Sequence, residues 1–549
     1  MIFIDLLVFL MIIIIIPVSI AGYGSILKFE NSQNFFIDVF FGFLVISIIT
    51  TILHFFFKIN FLTNLFIFFI GLCFFYFNKN KDFKIFDKKN IFYLIIVLSF
   101  IPMYVSQKYH EDFGYYHLPY ALSFLEEKII FGFANIDIPF VYNSIWLNLY
   151  PLFFFENKNF NYLTLPSFLL FLSFILFSMS KILKNKENIQ ISDYYLVVIL
   201  FYFLLKFTRI SEFGVDFPKI IFSVISIYYF IKFYETKIVL KKISYFYYNF
   251  AFSIFSILIK LSAAPIILLT AYIFVSNFKN LKFIIFNFKF LIIYLLCSVF
   301  FVQQFIYTGC LLFPTNYTCL NVSWFSSDHL SLSKQLELIN KSYSLARDIY
   351  LPEEYLSNFT WFKFWIKRSY PEILEHLLTI VIPTLLFIFC LKKTTNKIYF
   401  FNKHLTLYLF VILSLIFWLY FSPVFRFAND IFATLMFLIL LKILISREFS
   451  KKRFLIFISI FIMFSFSKNI YRINNSNEIF VGIIKINNRF ILNDNLSNEN
   501  AKIFYPDVKQ NTRNGWQGRL CWDTPFICSY QELEVKKKNG YLVINKLKN

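Results

Sequence analysis

The sequence predicts an all-α polytopic membrane protein, and three observations carry that prediction. Of its 549 residues, 58% are hydrophobic and only 15% are charged, against roughly 25% charged in a typical soluble domain. Continuous apolar runs near the ~20 residues needed to cross a bilayer recur along the chain. Lys and Arg concentrate in the short connections between those runs, as the positive-inside bias requires. The runs are unbroken rather than alternating, which argues against a β-barrel. The excess of Phe, Ile, Asn and Lys over Ala, Gly and Arg is the mark of AT-rich coding, so many of the 82 Phe residues carry no functional information. The net charge of +21 does not point to nucleic acid, because loop lysines are explained by topology and anionic headgroups.

Taken in order, the apolar runs predict about fourteen spans: 3–22, 36–57, 61–78, 91–106, 161–183, 192–207, 218–234, 245–260, 262–277, 288–308, 371–391, 404–421, 427–446 and 453–468. The first follows "MIFID", which lacks a basic n-region, so it is a retained span rather than a cleaved signal peptide. The stretch 140–156 is interrupted by Asn143, Ser144, Asn148 and Pro151, and the expectation there is a helix lying in the membrane interface, with a full crossing as the competing topology. With 140–156 left out, the basic connections "NKNKDFKIFDKKN", "SKILKNKENIQ", "KFYETKIVLKK", "NFKNLKFIIFNFK", "LKKTTNK" and "SREFSKKR" all fall on one side, the cytoplasmic one. Both termini then face out. A membrane body, 1–468, carries outer loops 107–160, 208–217 and 309–370, and a small outer tail covers 469–549. The third loop contains "WFSSDHLSLSKQLELINKSYSLARDIYLPEEYL", expected as one or two interfacial amphipathic helices. The tail is expected to hold short strands and loops.

Cysteine placement agrees with this topology. Cys73, Cys297 and Cys390 fall in spans and serve as small apolar fillers. Cys310 and Cys319 share one outer loop, and Cys521 and Cys528 share the tail. Close pairs on an extracytoplasmic face suit disulfides, and no His sits at ligand spacing to favour zinc.

Ionisable groups near outer span ends form the candidate site. They are His110, Glu111, Asp112 and His117 in "HEDFGYYHLPY", then Arg209, Glu212 and Asp216 in "TRISEFGVDFPK", Lys260 in "LIKLSAAP" and Arg426 in "SPVFRFAND", with Asp430 slightly deeper. Singly, each has a bland explanation as a cap, an anchor or a snorkelling cation. Together they bring acids and bases from separate loops to one face, where ionised groups are costly without a role. Cations at headgroup level can neutralise a phosphate, and a carboxylate can take a proton from an attacking hydroxyl. Asp112, Asp216 and His117 are also the residues that could hold a divalent metal ion.

The layout resembles the GT-C superfamily of membrane glycosyltransferases, and more closely a group of bacterial polytopic membrane proteins. The marks of that group are D-x4-H-L-P in "DFGYYHLP", a later loop Asp in "GVDFPK", R-F at Arg426 and Phe427, and C-W-D-x-P-x-x-C in "CWDTPFIC". The resemblance runs over roughly 100–530. It implies a GT-C-like helical bundle in a bacterial inner membrane, with an extracytoplasmic active site. It further implies a polyprenyl-phosphate-linked sugar donor and transfer to an acceptor hydroxyl with inversion. Asp112 matches the loop acid that acts as general base, and Glu111 pairs with it without being required by the closer motif. Asp216 matches the second acid, while Lys260, Arg426, Arg209 and His117 are the candidates for substrate binding. Superfamily members often end in a large acceptor-recognising domain, whereas this tail is small. The competing expectations are a transporter or flippase of a lipid-linked or anionic solute, and a non-enzymatic or polymerase-like protein. The first would need ionisable residues near the midplane, and the second arginine-rich outer loops, which are not seen.

Overall fold

The computed structural model describes residues 2–29, 34–78, 88–108, 112–155, 162–184, 190–208, 214–282, 284–357, 359–393, 404–444 and 447–475, together with segments between 480 and 546. The first helices are α1 (Ile2–Gly24), α2 (Phe35–Phe56), α3 (Phe61–Asn78), α4 (Lys88–Val105) and α5 (Leu118–Glu126). They are followed by α6 (Leu165–Lys184), α7 (Ile191–Lys206), α8 (Asp216–Glu235), α9 (Val239–Ile259), α10 (Ile267–Ser276), α11 (Phe278–Leu281) and α12 (Phe288–Thr308). The last are α13 (Asp328–Asn340), α14 (Pro352–Ser357), α15 (Thr360–Cys390), α16 (His404–Phe421), α17 (Asn429–Leu444) and α18 (Lys451–Asn475). Among the described residues, eight helices are long and apolar enough to cross a membrane: α1, α2, α3, α6, α8, α12, α15 and α18. Counting Leu261–Ser276 with Phe278–Phe286, bent by 94°, makes nine. Among the described residues each of the fourteen apolar stretches contains a helix, but α7 and α17 have only 16 residues and α10 only 10, short for a full crossing.

Local chemistry sets the helix ends. Asn34 caps α2 by accepting from the Phe36 and Ile37 amides, and Gln190 with Asp193 forms a capping box on α7. Gly309 ends α12 with φ of 80°, a conformation that a side chain would strain. Close approach builds the α1–α2–α3 unit: a Cβ on Gly42 would lie 1.9 Å from the Ile20 carbonyl oxygen, so only glycine fits.

The core sits around α6, α7 and α8. Every residue of α7 from Ile191 to Leu204 is buried. By contrast α3, α15 and α18 show apolar side chains outward, with Phe66, Leu378 and Met463 all more than half exposed. Contiguous apolar exposure on this scale marks a surface meant for a nonaqueous neighbour. Two of the basic connections meet, Leu391–Lys393 pairing antiparallel with Arg447–Phe449, as expected of loops on one side.

The stretch 140–156 departs from expectation. It is not an interfacial helix but irregular buried chain, with 3-10 turns at Ile138–Val141 and Leu147–Phe153. The polar residues that interrupt it bond inward. Asn143 donates to Gln303 (3.0 Å), Ser144 to the Ile259 carbonyl (2.8 Å), and Asn148 to Thr51 (2.7 Å) and Gln303 (2.9 Å). Side chains satisfied inside the bundle have no need of the interface.

The insertion between α12 and α15 holds α13 and α14. Disulfides join Cys310 to Cys319 and Cys521 to Cys528. The tail ends in a hairpin, Leu533–Lys538 with Tyr541–Lys546. Its turn, Asn539-Gly540, takes positive φ at both positions, the Asn-Gly choice that suits a right-handed twist.

Candidate active site

Antiparallel packing brings the site together. Because α8 and α9 are joined by a short turn, the start of α8 and the end of α9 lie at the same end of the bundle. Asp216 is the first residue of α8, where the helix dipole favours a carboxylate. Lys260 is the C-cap of α9, where the dipole favours a cation. The Lys260 ammonium donates to Asp216.

Arg426 arrives on the 3-10 turn Phe425–Ala428, just before α17. That turn is held firmly. The indole N–H groups of Trp365 and Trp418 donate to the carbonyls of Pro423 (2.7 Å) and Val424 (2.8 Å). Phe425 stacks on Trp365 at 5.7 Å and on His376 at 4.8 Å. So fixed, Arg426 reaches two carboxylates. Its Nε lies 3.2 Å from Asp216 Oδ2 and its Nη2 lies 4.0 Å from Asp112 Oδ2. Lys260 also sits over the Phe427 ring, 3.1 Å from its centroid, a contact that stabilises a cation.

Asp112 opens a π-helical turn, Phe113–His117, that leads into α5; such turns are rare and concentrate at functional sites. The Asp112 side chain is 32% exposed, that of Arg426 42% and that of Asp216 9%. The Asp112 end of the cluster is thus reachable and the Asp216 end closed. Burial first, and then the negative charge of Asp112, push the Tyr116 phenol well above its ordinary range, so it stays neutral.

A second pair lies one turn deeper. Lys219 donates to both oxygens of Asp430 (2.8 and 2.9 Å) and to the Phe427 carbonyl (3.0 Å). Both side chains are buried. Asp216 and Lys219 are three apart on one face of α8, and Arg426 and Asp430 are four apart where the 3-10 turn runs into α17. Of these four, Asp216, Arg426 and Asp430 stand out in the sequence and Lys219 does not. Phe427 was seen only as part of an R-F motif, not as a ring beneath Lys260.

The structure therefore unites Asp112, Asp216, Lys260 and Arg426. His117 is buried and sits beside the Asp216 loop: a Cβ on Gly214 would lie 3.7 Å from its Cε1. His110, Glu111, Arg209 and Glu212 lie outside the described residues. No three His, Cys, Asp or Glu side chains among the described residues, Asp112, Asp216 and His117 included, are arranged to hold a metal. The reason is local: Arg426 faces both carboxylates, and Lys260 adds a second cation at Asp216.

A family model matches residues 1–433. The chain belongs to the DUF8201 family, a domain of unknown function. The DUF8201 region takes in Asp112, Asp216, Lys260, Arg426 and the Lys219–Asp430 pair, and it ends before the tail. No curated protein and no solved structure matches the chain.

Proposed function

We propose that this protein is a membrane glycosyltransferase of the GT-C type, moving a sugar from a polyprenyl-phosphate donor to an acceptor hydroxyl. In this reading all fourteen helical stretches belong to the membrane body, in a bacterial cytoplasmic membrane, with the site on the extracytoplasmic side. The observation that carries it is Arg426, which faces the reachable Asp112 and the closed Asp216 at once, with Lys260 beside it.

The chemistry follows from those positions. The acceptor O–H gives its proton to the Asp112 carboxylate as its oxygen attacks the anomeric carbon. The bond from that carbon to the phosphate oxygen breaks, and polyprenyl phosphate leaves with the electron pair. Arg426 and Lys260 meet the charge that develops on it. Attack opposite the leaving group inverts the anomeric centre. Asp216 holds the two cations in place while no phosphate is present, which avoids like-charge repulsion in a poorly hydrated site.

A transporter would draw on ionisable groups deep in the bundle. The buried pair at this end, Lys219–Asp430, sits one turn below Asp216 and bonds to itself, which favours transfer. The test is release of polyprenyl phosphate from polyprenyl-phosphate-linked hexoses by the purified protein in proteoliposomes, without any transmembrane gradient. Asp112→Asn should lower turnover by about 10²–10⁴-fold at an unchanged melting temperature. Full activity in that variant removes Asp112 from the mechanism, and a strict need for a gradient favours the transporter.

A further inference from the structure

We propose that the C-terminal disulfide loop, Cys521–Cys528, is a clamp that positions Asp112, with Trp522 as its principal positioning residue. The two segments are about 400 residues apart in the chain, yet they meet directly. The Trp522 amide donates to the Gly114 carbonyl (2.9 Å), inside the π-helical turn that Asp112 opens. The indole lies flat against Gly114: a Cβ built there would fall 2.5 Å from two of its ring carbons. Gly114 is thus the vacancy in "DFGYYHLP" that receives the Trp of "CWDTPFIC". Trp522 also meets Phe113 edge-on at 6.2 Å. At the far end of the disulfide loop, the Phe526 amide donates to Glu126 Oε2 (2.8 Å), at the end of α5.

The remainder of the tail grips the same loop on both flanks. Gln107–Lys108, just before Asp112, pairs antiparallel with Phe480–Val481. Beyond α5, Phe131 bridges to Val543, and Asn135 donates to the Ile544 carbonyl (2.8 Å). Trp522 holds φ at 47°, a left-handed conformation costly for a residue with a Cβ and kept only where surroundings impose it. The disulfide supplies that constraint by closing a short loop, seven residues from Cys to Cys, that presents Trp522 and Phe526 together. The tail therefore acts as a support for the acidic loop, as precise positioning of a reacting group requires.

The test is hydrogen–deuterium exchange on the purified full-length protein, following the amides of 112–120. Trp522→Ala and the Cys521→Ser/Cys528→Ser double variant should each raise exchange there about tenfold or more. Trp522→Phe and Cys310→Ser/Cys319→Ser should leave it unchanged, and exchange across 216–235 should stay at the wild-type level throughout. Gly114→Ala should release the clamp from the other side and raise exchange in 517–529. Unchanged exchange in 112–120 for both tail variants overturns the proposal, as does an equal rise across 216–235, which would make the tail a general stabiliser. If sugar transfer is the activity, Trp522→Ala lowers kcat with KM unchanged and Trp522→Phe restores it. The exchange arm does not rest on that reading, so the two can fail separately.

Discussion

The pairs Asp216–Arg426 and Lys219–Asp430 both tie α8 to the chain around the start of α17, with their signs exchanged: Arg426 lies on the 3-10 turn before α17 and Asp430 in the first turn of α17. They differ in access to water. In the outer pair the arginine is 42% exposed, whereas the inner lysine is 1% exposed and its partner 7%. The outer layer also shares its guanidinium with Asp112 and gains Lys260 as a further cation. The inner layer spends its lysine on Asp430 and the Phe427 carbonyl. The contrast teaches that one interface can be locked by a sealed pair and left adjustable one turn above it. A sealed pair holds geometry, and in the proposed reaction the exposed cluster trades a carboxylate for an incoming phosphate.

Five variants would break or sharpen this contrast. The largest effect on function is expected in the outer layer, where Asp216→Asn should cut transfer by about 10²-fold or more with little change in melting temperature. The largest effect on stability is expected in the inner layer. Lys219→Met leaves a buried carboxylate unpaired and should cost about 3–5 kcal/mol, read as a lower melting temperature in detergent. The double variant Lys219→Met/Asp430→Leu should recover most of that loss, and failure to recover would show that the Phe427 carbonyl contact matters more than the ion pair. Arg426→Lys keeps the charge but cannot face two carboxylates with a planar fork. Losing one of the two ion-pair contacts, about 1.4 kcal/mol, predicts a roughly tenfold fall in turnover. The smallest effect is expected at the exposed pair Lys58–Glu127, 3.3 Å apart, where Lys58→Ala should shift stability by less than about 1 kcal/mol.

Much of this was legible in the chain. Uninterrupted apolar runs located the helices, because a helix that faces apolar surroundings needs no polar stripe to reveal it. Alternation of the basic loops placed Asp112, Asp216, Lys260 and Arg426 at one end, and the structure brings them within reach of one guanidinium. What pattern could not reveal was pairing across sequence distance. Asn148 and Asn143 looked like interruptions that would push 140–156 to the interface, when Gln303 and Thr51 were waiting inside. Lys219 carried no signal of its role, because its partner lies 211 residues away. Gly114 carried no signal of its own, since its lack of a side chain gains meaning only beside Trp522.

The helix α15 has 31 residues, about 46 Å at 1.5 Å per residue, while the hydrocarbon layer is only about 30 Å thick. In the proposed membrane arrangement its first turns stand proud of the lipid, and they carry Trp365, from which the Arg426 turn hangs. The height of the guanidinium above the acyl chains is thereby tied to the tilt of a single mast. Membranes of different thickness would tip that mast to different degrees, so the acyl length of the host lipid becomes a dial on how well this cation lines up with the headgroup plane.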